Sequence, residues 1–317
     1  MIISEEYIWF RLFKTPGIGP KKLVSIAEIL DTEKLALEVI LSNNNVLYYK
    51  YPEIVDILKN ITKFENSEII INEYEQLKND KIDIIYPGCN YYPIDLLTYS
   101  KNFNISPILF SKGLKSVLNG DSIAIIGSRN TSIKGANIAR SIAYNLSTEG
   151  TNIISGYAKG IDSEAHIGAL EAGGTTTMVL SYGINELIKK KDFVEIDWDR
   201  DILAISQFDP NAKWKAYYAM IRNKLVCALS RAVIVIESGP EKDSAGKMSG
   251  TYNAAMAAIE MNIPLFVVDP NIFDKCPEGS QELIRKGGIR FNPKDEISII
   301  IDNIKMTNSS PAQISLL

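Results

Sequence analysis

Residues Ile123–Leu180 read IAIIGSRNTSIKGANIARSIAYNLSTEGTNIISGYAKGIDSEAHIGALEAGGTTTMVL, two successive units of strand, glycine loop and helix. Ile123–Ile126 is a short apolar run rich in β-branched residues, the pattern of a parallel strand buried on both faces. Gly127, Ser128 and Arg129 follow at once. Gly127 permits a tight turn, Ser128 can cap a helix or donate to a phosphate, and Arg129 adds a forked, permanently charged donor. A second strand, Thr151–Ser155, runs into Gly156, Lys159 and Gly160 ahead of a helix from Asp162. Two such loops at the carboxyl ends of adjacent parallel strands predict a phosphate-binding crevice. A tight turn would explain either glycine loop alone; the charges of Arg129 and Lys159 favour the crevice. The Walker pattern G-x-x-x-x-G-K-[ST] does not occur, nor does G-x-G-x-x-G after Ile126.

Outward from this stretch the alternation continues. Helical patterns over Lys134–Glu149, Asp162–Ala172, Ala216–Leu229, Gly250–Met261 and Gly279–Lys286 interleave with apolar strands at Thr176–Leu180, Ile202–Ser206, Ala232–Glu237, Pro264–Val268 and Ile289–Phe291. This predicts an α/β fold with a doubly wound, mostly parallel, Rossmann-like sheet. Upstream, Tyr7–Phe13, Lys21–Leu30, Glu33–Leu41 and Glu68–Leu77 carry helical spacing, with a loop at Asn43–Asn45 and strands at Ile82–Tyr86 and within Ser106–Gly113. The expected organisation is a small helical domain over 1–80, the sheet domain over 81–306, closing on a helix at Glu296–Ile304, and a flexible tail over 307–317. TPGIGPKKL, Thr15–Leu23, has two readings. It is a helix-hairpin-helix turn offering amides to a phosphate, or a packing turn between helices.

Composition narrows the class. Hydrophobic residues make up 46% and charged residues 23% of 317, an ordinary globular balance. No run approaches the ~18 apolar residues of a membrane span, and the N-terminus does not read as a signal peptide. Cys89, Cys227 and Cys276 are odd in number and widely spaced, which suits a reducing cytoplasm rather than disulfides or zinc. A net charge of −4 argues mildly against a protein coated in nucleic acid, but says little about one groove. Between Asp209 and Glu237 there is no acid, while Lys213, Lys215, Arg222, Lys224 and Arg231 are interleaved with Trp214, Tyr217 and Tyr218. Bases among aromatics suit single strands, with Tyr217 and Tyr218 as stacking candidates. A solvated loop leading into an amphipathic helix is the plainer alternative.

Catalytic chemistry has little to stand on. His166 is the single imidazole, four residues after Asp162 on the same helix face, and both are assigned to loop support. No G-x-S-x-G elbow is present, and neither a metal nor a cofactor is expected. Ser249, Gly250 and Thr251 open a helix and form a third anion contact.

IAIIGSR together with SGYAKGIDSEAHIGAL, Ser155–Leu170, resembles the core signature of the DNA-processing protein A (DprA/Smf) family. The likeness continues at Arg222–Ser238, Ser249–Thr251 and GGIRF, Gly287–Phe291. The resemblance implies a non-enzymatic protein that binds single-stranded DNA, protects strands and helps load a RecA-type recombinase in DNA uptake (natural transformation) or recombination. It also implies a homodimer. Gly127, Ser128, Arg129, Gly156, Lys159, Gly160, Arg222 and Lys224 would track the backbone. The chain departs from the family pattern at SYGIN, where Asn185 replaces an aspartate and no Tyr-Pro follows, and at YYAMI before Arg222. The rival reading is a nucleotide-derived ligand sensor or nucleotide hydrolase using the same pocket. The lack of an acid between Thr251 and Glu260 speaks against the hydrolase.

Overall fold

The computed structural model describes residues 4–35, 49–52, 67–294 and 300. Beyond Leu35, the expected helix over Glu33–Leu41 lies outside these residues. So do the loop at Asn43–Asn45, the tail, and all but Ile300 of the helix at Glu296–Ile304.

Nine strands form one sheet: β1 (Asp83–Ile85), β2 (Leu109–Gly113), β3 (Ser122–Ile126), β4 (Asn152–Ser155), β5 (Thr176–Val179), β6 (Ile202–Ser206), β7 (Ala232–Val235), β8 (Leu265–Val268) and β9 (Ile289–Phe291). Their spatial order is β1-β2-β6-β5-β4-β3-β7-β8-β9. From β6 to β9 every pairing is parallel, while β1–β2 and β2–β6 are antiparallel. The expected mostly parallel α/β sheet is the fold. The chain winds outward from β3 to β6, then returns to lay β7 on the other side of β3. The switch point of the winding is therefore the β3–β7 boundary, where open α/β sheets place their ligands.

Alternation along the strands builds a core on each face. Ile123 and Ile125 of β3 pack with α5 (Ile133–Thr148) and α6 (Ile161–Glu171). Ala124 and Ile126 pack on the other face with α8 (Ala216–Ala228) and α9 (Gly250–Glu260). The rest are α1 (Glu5–Lys14), α2 (Pro20–Glu33), α3 (Ser67–Asn79), α4 (Leu96–Phe103), the single turn α7 (Trp198–Asp201) and α10 (Glu278–Arg285). α1 and α2 share a third core with the antiparallel margin of the sheet: Trp9, Phe10 and Leu23 sit among Phe110, Ile202 and Ala204. Lys14 at the end of α1 reaches Asp209, just past β6, at 2.6 Å, and Glu73 of α3 at 2.8 Å. The turn between α1 and α2 buries Thr15 and Ile18, places Gly17 at φ +81°, and leaves Lys21 exposed.

Candidate nucleic-acid interface

The two glycine loops lie side by side at the carboxyl ends of β3 and β4, and they touch. Gly160 has φ +75°, and a Cβ there would meet Ser128 O at 2.4 Å and Arg129 O at 2.8 Å. Ile161 donates its N–H to Ser128 O at 3.2 Å. Gly127 serves a different purpose from the tight turn expected of it. Its φ is not left-handed; instead a Cβ would fall 2.5 Å from the Ile161 side chain, so the glycine is required by close packing. Ser128 accepts the Asn130 N–H on its own Oγ at 3.1 Å, and the cap of α5 is Ser132, whose Oγ accepts the Gly135 N–H at 2.9 Å.

The start of α5 is already occupied by an anion. Glu237, just beyond β7, accepts from Ser132 Oγ (2.5 Å), Thr131 Oγ1 (2.6 Å) and Ser132 N (2.9 Å). The β3–β7 ladder runs on past the strand ends through Ile236 N to Ile126 O (3.1 Å) and Ser128 N to Glu237 O (3.0 Å). The switch-point crevice is thus zipped shut, and the second glycine loop lies on the other side of β3, after β4.

The second loop is held from beneath. Tyr157 adopts φ +52°, uncommon for a residue with a side chain. Lys190, in the segment after β5, donates from Nζ to Tyr157 O (2.9 Å), Ala158 O (3.0 Å) and Ser163 Oγ (3.2 Å). All three ammonium donors are used, and the charge sits 4.2 Å from the Tyr157 ring centroid. Tyr157 Oη accepts the Lys190 N–H at 2.8 Å and donates to Ile188 O at 3.1 Å. Arg222 comes from α8 and lies flat on Gly156, where a Cβ would be 1.3 Å from Nη1. Asp162 Oδ2 accepts the Ala158 N–H at 3.3 Å and stands 3.9 Å from Arg222 Nη1.

These contacts sort the cations. Arg222 is 5% exposed and its Nε has no partner. Burial pushes its pKa down and the Asp162 charge opposes this; a guanidinium stays charged at neutral pH regardless. Burial pushes Asp162 up, against the Arg222 charge. Burial likewise lowers Lys190, with Asp162 and Asp192 acting against it and Lys159 and Arg222 adding to it. Arg129 and Lys159 are exposed and form no ion pair with any described residue. Each still acts on a buried cation behind it: Arg129 lowers Arg222, and Lys159 lowers Lys190. Positive charge therefore exceeds local negative charge, and two of its carriers face solvent.

His166 is sealed off. Its Nδ1 lies 2.7 Å from Thr176 Oγ1 on β5, and that hydroxyl gives its only proton to Ile153 O. Nδ1 must therefore be the donor, which leaves Nε2 as a buried acceptor with no partner. Burial pushes the imidazole down to about 3. The ring ties α6 to β5 and meets the loop only through packing on Tyr157, at 6.3 Å between centroids. Asp162, by contrast, supports the loop directly.

A profile of the family described as DNA recombination-mediator protein A matches residues 83–302. The chain belongs to this family. DNA processing protein DprA of Streptococcus pneumoniae is 32% identical over 197 residues, which span 62% of this chain and 66% of the relative's length. The solved structure of pneumococcal DNA processing protein A aligns over 94% of this chain and 98% of its own, with a TM-score of 0.71 at 23% identity. DNA processing protein A of Helicobacter pylori, solved to study its single-stranded DNA binding mode, aligns over 70% and 97% with a TM-score of 0.56 at 24% identity. At these identities the solved structures speak for the fold.

In this member of the DNA recombination-mediator protein A family, the other expected site residues are placed unevenly. Tyr218 stacks on Phe208 with centroids 4.2 Å apart, so one face of its ring is spent. Tyr217 meets Tyr218 edge-on at 4.5 Å and, like Trp214, is 54% exposed, leaving ring surface for a base. Lys215 Nζ lies over both tyrosines, at 5.9 and 5.4 Å. Lys224 turns away to the end of α4, where Nζ reaches Phe103 O at 3.4 Å. Ser249 caps α9 through Tyr252 N at 3.2 Å. Gly250 O accepts from Asn223 Nδ2 at 2.9 Å. The Ser249–Thr251 corner is thereby joined to Arg222 through the next residue of α8.

Sequence reasoning missed Glu237, Lys190 and Asn223. Glu237 left one trace, a lone acid closing an apolar strand; Lys190 sits inside Lys189–Lys191, and nothing local marks it out. Among the described residues no cluster of three or more His, Cys, Asp or Glu could hold a metal, and no helix is long and apolar enough to cross a membrane.

Proposed function

We propose that this chain binds single-stranded DNA through Arg129 and Lys159, without chemical turnover. The observation that carries this reading is the pair of exposed, unpaired cations on touching loops, backed by the buried charges of Arg222 and Lys190. A flexible phosphodiester backbone can follow such a ridge, while Tyr217 and Trp214 offer stacking surface further along the same end of the sheet. The H. pylori relative, described for its single-stranded DNA binding, supports the same reading. The finer role follows the family: a cytoplasmic homodimer that protects strands and helps load a RecA-type recombinase during DNA uptake or recombination. Against a nucleotide hydrolase stands His166, fully buried, with no nucleophile at its free nitrogen.

The deciding experiment is fluorescence anisotropy with labelled oligonucleotides of graded length across a salt series. Single strands should bind more tightly than blunt duplex, with little sequence preference. The log–log salt slope should be about −0.7 for each phosphate contacted. Equal affinity for duplex and single strand, or release of base or phosphate from nucleoside phosphates, would overturn the reading.

A further inference from the structure

The amino end of α5 is where a Rossmann-like sheet ordinarily receives a phosphate: a sixteen-residue helix beginning at the switch point of the winding. Here a carboxylate of the protein itself holds that position. Glu237 is 8% exposed and takes three hydrogen bonds from Thr131 and Ser132. The helix is shaped to receive it. A Cβ on Gly135 would lie 2.5 Å from Glu237 Oε2, so a larger residue there would push the carboxylate out of this position. A glycine inside a helix costs about 0.5–1 kcal/mol relative to alanine, and the contact with Glu237 gives a physical reason for it.

We propose that Glu237 is a specificity-determining residue: its carboxylate fills the anion position of α5 and refuses free phosphate and nucleoside phosphates at the switch point. Any incoming phosphate there would meet a fixed negative charge and find the amide and both hydroxyls already engaged. A phosphodiester chain resting on Arg129 and Lys159 does not need that position. The exclusion stands independently of the single-stranded DNA reading, and the two are tested by separate readouts.

The test is anion rescue. Glu237→Ala and Glu237→Ser strip the carboxylate and strand the donors of Thr131 and Ser132. Thermal unfolding is compared in phosphate and in chloride at matched ionic strength. Inorganic phosphate and a nucleoside monophosphate are titrated by calorimetry. Phosphate should restore the melting temperature of the variants while leaving the wild type unmoved. The variants should also bind inorganic phosphate about ten-fold or more tighter than wild type, equivalent to about 1.4 kcal/mol. If neither variant folds in chloride, recovery on refolding in phosphate supports the proposal. Variants that show no preference for phosphate, or that fold in neither salt, overturn it and leave Glu237 as a helix cap only. So does a wild type that binds phosphate as tightly as the variants. Oligonucleotide affinity is read on the wild type, so its absence would sink the single-stranded DNA reading without touching this result.

Discussion

The two glycine loops each follow a buried parallel strand and lead into a helix, yet the protein uses them in opposite ways. At the first, the helix start is closed by Glu237, and the loop offers solvent the Arg129 side chain. At the second, the backbone is held from below by Lys190 and Arg222, and the loop presents Lys159. One loop is neutralised by an acid and the other is propped by bases, so the two exposed cations are carried on differently stabilised supports. A glycine-rich turn after a buried strand is therefore a frame, and the distant residue that reaches it decides what the frame does.

The largest effect should come from forcing the two loops apart. Gly160→Ala meets both a left-handed backbone and the carbonyls of Ser128 and Arg129. It should lower stability by about 3 kcal/mol, read as the urea midpoint, and weaken oligonucleotide binding with it. A variant of unchanged midpoint would mean the loops are not in contact. Arg129→Ala should cost roughly 1.5–3 kcal/mol of binding to single strands with an unmoved melting temperature, and Arg129→Lys should recover only part. Loss of stability with binding intact would make Arg129 structural and erase the contrast between exposed and buried cations. Lys190→Met strips donors from two loop carbonyls and should reduce stability by about 1.5 kcal/mol. Oligonucleotide affinity should also fall, although Lys190 itself has no donor left for a phosphate. Unchanged affinity would show that the second loop holds its shape unaided.

The effect that is smallest at neutral pH is a slope, which appears only as pH falls below the unfolded pKa of His166. His166 is held neutral, with its pKa at about 3 when folded and about 6.5 when unfolded. Its contribution is complete above the unfolded value and is lost as pH falls towards the folded one. Stability should drop by about 1.4 kcal/mol per pH unit across that window. The difference between wild type and His166→Gln isolates this, since the opposing contribution of Asp162 is common to both. Parallel pH profiles would mean the imidazole is not sealed.

Most of the sheet was legible because strand and helix periods are local. The strands at Ile123, Asn152 and Ala232 and the helices that follow them lie within a residue or two of their expected bounds. The two loops could be found for the same reason. What could not be read was any contact whose partner is remote: Glu237 lies 105 residues from Ser132, and Lys190 lies 33 from Tyr157. Arg222 was expected to face a ligand because it lies in the run of bases among aromatics and in a stretch that resembles the family. Its burial over Gly156 depends on how α8 packs on the sheet, which no spacing encodes. The antiparallel pairing of β1 and β2 escaped for a similar reason, since strand direction is set by which neighbour the chain returns to.

The placement of α1 has a consequence during synthesis. This helix leaves the ribosome before any strand of the sheet, yet the side chains that cover Trp9 and Phe10 include Phe110 and Ile202, and Lys14 finds Asp209 195 residues later. At roughly 5–20 residues per second, that wait is about 10–40 seconds, with two large aromatic rings uncovered. A nascent chain halted before β6 would expose them, and should be bound by chaperones until translation resumes.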